Sequence, residues 1–226
     1  MADARSDILA RIREALKVKA PRPHLLAEPT DRRPAKAGKP WLPDGGDNRE
    51  GSLAILAEQL AKLKAVLVRA PDVSSAASAL AVLAKSKGWQ RAAVHSDDLL
   101  KAACAALPCP VWDVADAFDK RRLEACDVGI TTCECLVAQL GSALVSSRSS
   151  GGRGLSILPH VHVIVATVDQ VTPDLDTAFA AVRDRNAGGM PSMLSFITGP
   201  SRTGDIERVL VLGAHGPKEL YVILIG

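Results

Sequence analysis

Aromatic residues are scarce in this 226-residue chain: three Phe, three Trp and one Tyr, or 3% of it. With a hydrophobic fraction of 47%, the core has to be assembled from Ala, Val, Leu and Ile, which favours helices layered on a sheet over an aromatic-rich sandwich. There is no run of 18 or more uncharged apolar residues, so no membrane-spanning helix is predicted. The start, Met1-Ala-Asp-Ala-Arg-Ser-Asp7, lacks both the basic region and the apolar core of a secretory signal, and a cytoplasmic location is expected. Charge of one sign is missing too. The 28 basic and 25 acidic residues leave a net +3, spread along the chain, so bulk charge gives nucleic-acid binding no support. The five cysteines, at 104, 109, 126, 133 and 135, are odd in number and irregular in spacing, which argues against a disulfide framework. Cys133-Glu-Cys135 has no companions at metal-binding spacing, so no metal is expected on this chain. Neither G-x-x-x-x-G-K-[ST] nor G-x-G-x-x-G occurs, and no internal repeat is visible.

What is present begins with an amphipathic helix over residues 6–17, with Ile8, Leu9, Ile12, Ala15 and Leu16 on one stripe and Ser6 as its expected cap. Residues 20–51 carry prolines at 21, 23, 29, 34, 40 and 43 and few paired apolar residues, the pattern of an arm or linker. Residues 1–50 are therefore read as helix plus arm, and 51–226 as the α/β domain. In that domain Leu53, Leu56, Leu60 and Leu63 mark a helix and Ala65-Val-Leu-Val68 a buried strand. Helix 72–87 (stopped by Gly88), strand 91–95, helix 97–107 and strand 111–114 continue the alternation. Repeated βα units of this length predict a mainly parallel sheet flanked by helices. After Asp127 the pattern predicts a strand at 128–131, a turn or short helix at 132–140, and strands at 142–147 and 162–166. Leu155 to Leu158 precede a proline, and a helix over 173–186 is capped by Thr172. The closing strand, 220–225, is expected to pair with 209–212.

Three polar concentrations stand out. The first is Ile197-Thr-Gly-Pro-Ser-Arg-Thr-Gly-Asp-Ile-Glu207, where turn residues, the Ser201 and Thr203 hydroxyls and the Arg202 guanidinium suit an anion. Pairing of Asp205 or Glu207 with Arg202 or Arg208 explains the same residues without a ligand. The second is Ser146-Ser-Arg-Ser-Ser-Gly-Gly-Arg153, either a ligand loop or a solvated hairpin. The third is Gly213-Ala-His-Gly-Pro217, with His215 at a strand end where α/β sheets take ligands. His160 and His162, two apart on a strand, point the same way.

The ordered set Gly129-Ile-Thr131, Ala138-Gln-Leu-Gly-Ser142, Gly152-Arg153, Leu158-Pro-His-Val-His162, Thr198 to Thr203 with Asp205-Ile-Glu207, and Gly213 to Pro217 resembles the LUD domain of lactate-utilization proteins, especially their small accessory subunit, lactate-utilization protein C. The resemblance runs from about residue 50 to the C-terminus. It implies a fold like that of ribose-5-phosphate isomerases, CoA transferases and formyltetrahydrofolate cyclo-ligases. It implies also a part in oxidising L-lactate to pyruvate beside iron–sulfur subunits. This chain has no ferredoxin-like cysteine run, so the clusters are expected in those partners and no cofactor on the chain itself. Where the family reads Ala-Glu-Thr-Gly-Thr, the chain reads Ala138-Gln139-Leu140-Gly141-Ser142, so an amide stands in for a carboxylate. Gln139 can bind a ligand but cannot take its proton, which leaves Glu134 and His215 as candidate acid–base groups.

The expected ligand site thus comprises Thr198, Gly199, Ser201, Arg202 and Thr203, with Arg153 approaching from the second loop and Gln139 and His215 lining the cleft. The competing readings are a free-standing isomerase or transferase acting on a phosphosugar or CoA ester, and a non-catalytic adaptor whose N-terminal helix holds partners or a second copy.

Overall fold

A computed structural model describes residues 4–17, 43–115, 119–203 and 211–226. The expectations placed on 18–42 and on Asp205, Glu207 and Arg208 lie outside the described residues. The chain divides into two units, Met1–Pro40 and Trp41–Gly226. In the first, helix α1 (Ala4–Lys17) contains Ser6 rather than being capped by it, and exposes Ile8, Leu9, Ile12 and Leu16 along one stripe.

The second unit opens with α2 (Arg49–Lys62), whose cap, Asn48, accepts the Gly51 N–H. Then come β1 (Val66–Ala70), α3 (Val73–Lys87), β2 (Ala92–Val94), α4 (Asp98–Ala103), β3 (Val111–Asp113), α5 (Lys120–Glu124) and β4 (Val128–Thr131). Asp72 caps α3 through the Ser75 N–H, and Gly88 ends it in the left-handed conformation, φ 67°, that glycine adopts without strain. A smaller sheet follows, starting with β5 (Cys135–Val137) and β6 (Ser142–Ser146); α6 (Gly154–Ile157) leads back to β7 (Val161–Thr167). The chain ends with β8 (Val171–Thr172), α7 (Leu175–Arg185), β9 (Leu194–Ile197), the pair β10 (Arg202–Thr203) and β11 (Val211–Leu212), and β12 (Glu219–Ile225).

Six strands form one sheet in the order β1-β12-β7-β4-β2-β3, every pair parallel. Its inner strands alternate between two buried faces, as a covered parallel sheet requires, whereas β1, expected to be buried, is an edge strand that leaves Val66 46% exposed. Val163, Val165, Tyr221 and Ile223 pack with Leu80 and Ala84 of α3 and Leu100 of α4. Ile164, Ala166, Val222 and Leu224 pack with Leu56 and Leu60 of α2 and with Leu136, Ala143 and Val145 of the smaller sheet. That sheet runs β8-β5-β6-β9, and its far face takes Ala178 and Val182 of α7 against Cys135, Val137 and Leu144.

Three expectations need correction. Of the expected pairing with 209–212, residues 209 and 210 lie outside the described residues, and 211–212 do not pair with the closing strand: β12 lies between β1 and β7, and β11 pairs antiparallel with β10. An all-apolar strand buried on both faces belongs in the middle of the sheet. Within the 132–140 segment, residues 138–140 do form a short 3-10 turn, but 135–137 are strand, because Leu136 faces the large sheet while Cys135 and Val137 face α7. Residues 155–157 are helical, and Gly129 explains how that helix fits. A β-carbon at Gly129 would lie 2.1 Å from the Leu155 carbonyl oxygen, so only a glycine in β4 lets α6 lie down on the strand. Finally, Asp174 caps α7 by accepting the Thr177 N–H, while the Thr172 hydroxyl donates to the Leu136 carbonyl across the β5–β8 pair.

Candidate functional site

Strand direction decides which polar loops meet. Leu63 precedes β1, and the Lys218 N–H donates to the carbonyl of His160, which precedes β7 (2.8 Å). The 213–218 segment and the end of α2 therefore lie at the amino edge of the large sheet. The first polar stretch comes to the same edge. The Ser201 N–H donates to the Pro217 carbonyl (2.8 Å) and the Gly213 N–H to the Ser201 carbonyl (3.0 Å). Gly216 packs so closely that a β-carbon there would lie 3.2 Å from Cβ of Ser201. Gly199, φ 83°, would bring a β-carbon within 3.1 Å of Leu63, and the exposed Arg202 guanidinium donates to the Leu63 carbonyl. Leu63 is the C-cap of α2, where unpaired carbonyls and the helix dipole favour a cation. Thr198 pairs its hydroxyl with that of Ser142 (2.8 Å), and Thr203 enters as backbone paired with Val211. His215 is exposed on the same segment. So the structure brings 198–203 together with 213–217, just after β11 and at the amino edge of β12.

Arg153 is not part of this group. The Thr132 hydroxyl, just after β4, donates to the Ser149 carbonyl (3.0 Å), and Gly151 packs on His95, just after β2. The 146–153 loop therefore sits at the carboxyl edge, across the sheet from Arg202. Its hydroxyls are used internally. Ser146 Oγ donates to Glu134 Oε1 (2.5 Å) and accepts the N–H groups of Arg148 and Ser149 (both 3.0 Å). Ser149 Oγ accepts the Ser146 N–H and Ser150 Oγ donates to the Ser146 carbonyl. Arg148 donates to Asn186 Oδ1 and to the Gly189 carbonyl, tying the loop to the end of α7. The loop is a wall braced from within.

Gln139 is committed to neighbouring segments of backbone. It is 6% exposed, its amide Nε2 donates to the Pro43 carbonyl (2.6 Å), and its backbone N–H donates to the Pro173 carbonyl (3.0 Å). Glu134, besides accepting from Ser146, has Arg185 at 3.5 Å, and Arg185 Nη1 donates to its carbonyl (2.7 Å). Both act as braces between segments. His160 is exposed, whereas His162 is fully buried with Nε2 2.9 Å from the Thr131 hydroxyl. Burial drives its imidazole down to about 3, so it stays neutral at ordinary pH. Burial pushes the Cys104 thiol up to about 12 and Cys135 to about 11, and raises Cys133 as well, so these sulfurs carry protons at neutral pH. Among the described residues no group of three His, Cys, Asp or Glu is placed to hold a metal ion.

Residue patterns alone missed His95, Ser96 and Asp113 at the carboxyl ends of β2 and β3. The Ser96 hydroxyl donates to Asp113 Oδ2. Partial burial pushes the Asp113 carboxyl up, but the Ser96 and Ala115 hydrogen bonds and the charges of His95 and Lys101 prevail and hold it below its ordinary range. The signal was their place directly after short parallel strands, the position that hosts ligands in such sheets.

Residues 53–225 match the LUD domain. The chain is 32% identical to lactate utilization protein C of Bacillus licheniformis over 117 residues, 50% of this chain and 49% of that protein. It is 35% identical to the Bacillus subtilis protein of that name over 121 residues, 51% and 50% of the two chains. For the Geobacillus thermodenitrificans protein the figures are 36% over 120 residues, 50% and 49%. The chain thus spans about half the length of the curated relatives it matches. A crystal structure of a DUF162 family protein from Deinococcus radiodurans superposes with a TM-score of 0.62 at 22% identity, covering 79% of this chain and 99% of that one. At that identity the likeness speaks for the fold.

Proposed function

This chain belongs to the LUD domain family, and from that premise we propose that it serves L-lactate utilization as an accessory subunit that binds a small anionic metabolite. The observation that carries the reading is the similarity to three proteins named lactate utilization protein C. In this reading iron–sulfur subunits carry out the electron transfer that takes L-lactate to pyruvate, and the clusters belong to them. The chain's own contribution is the amino-edge grip of Gly199, Ser201, Arg202 and Thr203, with His215 beside it. A carboxylate 4 Å from Arg202 gains only about 1 kcal/mol in water and several-fold more where water is excluded. Affinity then depends on how far the ligand or a partner covers this exposed edge.

An accessory role fits the acid–base inventory better than a free-standing isomerase or transferase. Gln139 is an amide committed to Pro43, and Glu134 is engaged by Ser146 and Arg185. The test is a thermal-shift screen with L-lactate, pyruvate, phosphate, sugar phosphates and CoA esters. A ligand at about 100 times its Kd stabilises the native state by roughly 2.7 kcal/mol. Arg202→Ala should abolish that shift while leaving the unliganded melting temperature close to wild type; a shift that survives the substitution would refute the grip.

A second reading, an adaptor, is favoured by α1, whose Ile8, Ile12 and Leu16 are 59%, 49% and 77% exposed. A helix with an uncovered apolar stripe gains by packing on another surface. Deleting residues 1–40 should then abolish co-purification with the iron–sulfur subunits and spare the grip's ligand response. Unchanged co-purification would exclude α1 as the contact.

A further inference from the structure

The carboxyl edge of the large sheet holds an arrangement that the amino-edge grip does not use. After β2 the chain turns outward to β3, and after β4 it leaves for the smaller sheet and returns as β7 on the other side. Connections diverging from adjacent parallel strands leave a crevice between them, the usual ligand position in open α/β sheets. His95 and Ser96 follow β2, Thr132 follows β4, Asp113 ends β3, and the 146–153 loop covers the gap.

Here lies an unmet polar group. His95 Nδ1 is buried without a hydrogen-bond partner, and it is closed off by Gly151, where a β-carbon would lie 2.8 Å from it. Leaving such a group unpaired costs about 1–3 kcal/mol, and native proteins keep few of them. The loop responsible is braced by Glu134 and Thr132, so the cost is built in by design of the wall. With Nδ1 sealed, the half-buried ring offers only Nε2 to the crevice. A ring sealed at Nδ1 can meet a ligand only through its Nε2 edge. Two residues beyond Gly151, Arg153 is exposed and has no ion-pair partner among the described residues. Between them Gly152, φ 101°, has no atom within 4 Å of where a β-carbon would stand, leaving its backbone open to approach.

We propose that His95 Nε2, Arg153 and the open backbone at Gly152 form a second ligand site, distinct from the Arg202 grip, that takes a small oxyanion: the carboxylate or phosphate group of a metabolite. Arg153 supplies the charge and His95 a directed donor. The Asp113 carboxylate nearby is already engaged by the Ser96 hydroxyl and the Ala115 N–H.

The experiment is imidazole nitrogen–proton correlation NMR on the full chain, with His95 identified by the signal lost in His95→Asn. Inorganic phosphate and pyruvate are titrated separately at constant ionic strength. The expected result is a saturable shift of the His95 Nε2 signal with at least one of them, which also identifies the group recognised. Arg153→Ala should weaken that binding roughly tenfold, the worth of one charge-assisted contact. Arg202→Ala should leave it unchanged. Absence of a saturable shift with both anions overturns the proposal, as does unaltered affinity in Arg153→Ala. Loss of the shift in Arg202→Ala would also overturn it, by assigning the anion to the amino edge. Arg153 is exposed, so its replacement leaves the fold in place and the comparison interpretable.

Discussion

His162 shows what one buried side chain can impose on the whole. It lies in β7 beside Gly129 and Leu220, fully enclosed, with Nε2 against the Thr131 hydroxyl and Nδ1 buried without a partner. Burial lowers its folded pKa to about 3, whereas an unfolded imidazole titrates near 6.5. Below pH 6.5 the unfolded chain therefore binds a proton that the native chain excludes. The stability associated with this residue is complete above 6.5 and is lost as pH falls, until the native imidazole also titrates. The linkage amounts to about 1.4 kcal/mol per pH unit, or about 2 kcal/mol between pH 7 and 5. Urea unfolding of the wild type at those two pH values should show this loss, and His162→Asn should show a loss smaller by that amount, even if it starts less stable. Equal losses in the two proteins would remove His162 as the source.

At the scale of elements, the contact between α6 and β4 depends on Gly129. Alanine there would place its β-carbon 2.1 Å from the Leu155 carbonyl oxygen, a backbone atom that cannot rotate away. Overpacking of this kind costs about 1–3 kcal/mol or more, so Gly129→Ala should lower the urea midpoint strongly. Gly188→Ala, with nothing within 4 Å, should leave it nearly unchanged. Similar midpoints would mean that α6 shifts freely. Much of this layout was legible in the residues. Helix 72–87 could be read from its Ala-rich body and Gly88, and the parallel sheet from the βα alternation, because those signals are local. The strand nature of 135–137 was not, since burial on both sides erases the alternation that marks a half-exposed strand. Nor was the cap of α7: Thr172 and Asp174 are both capable, and the choice rests on Thr172 being needed by the Leu136 carbonyl.

For the molecule as a whole, strand order is what sorts the polar loops, and strand order is a long-range property. Arg153 and Arg202 looked alike in the sequence, each beside glycines and hydroxyls. The position of β12 between β1 and β7 puts 213–217, and with it Arg202, at one edge, while β2 and β4 draw Arg153 to the other. The end of the N-terminal arm was equally hard to place from composition, because Pro43 to Gly46 look like more of the same linker. In the structure they belong to the second unit. The Pro43 carbonyl accepts from Gln139, the Gly45 carbonyl accepts the Ser52 hydroxyl at 2.7 Å, and Gly45 fits against Pro173 so tightly that a β-carbon would lie 2.2 Å from its oxygen. Gln139 and Ser52 are both buried, so removing their acceptors strands two polar groups, each at about 1–3 kcal/mol. The boundary of the folding unit is therefore testable by truncation. A chain starting at residue 41 keeps both acceptors and should unfold within about 0.5 kcal/mol of the full-length protein, as changes outside the packed unit do. A chain starting at residue 47 should lose about 2 kcal/mol or more by the same urea titration. If the shorter deletion already costs as much as the longer one, residues 1–40 contribute to the stability of the α/β unit and the division at Pro40 is not energetic.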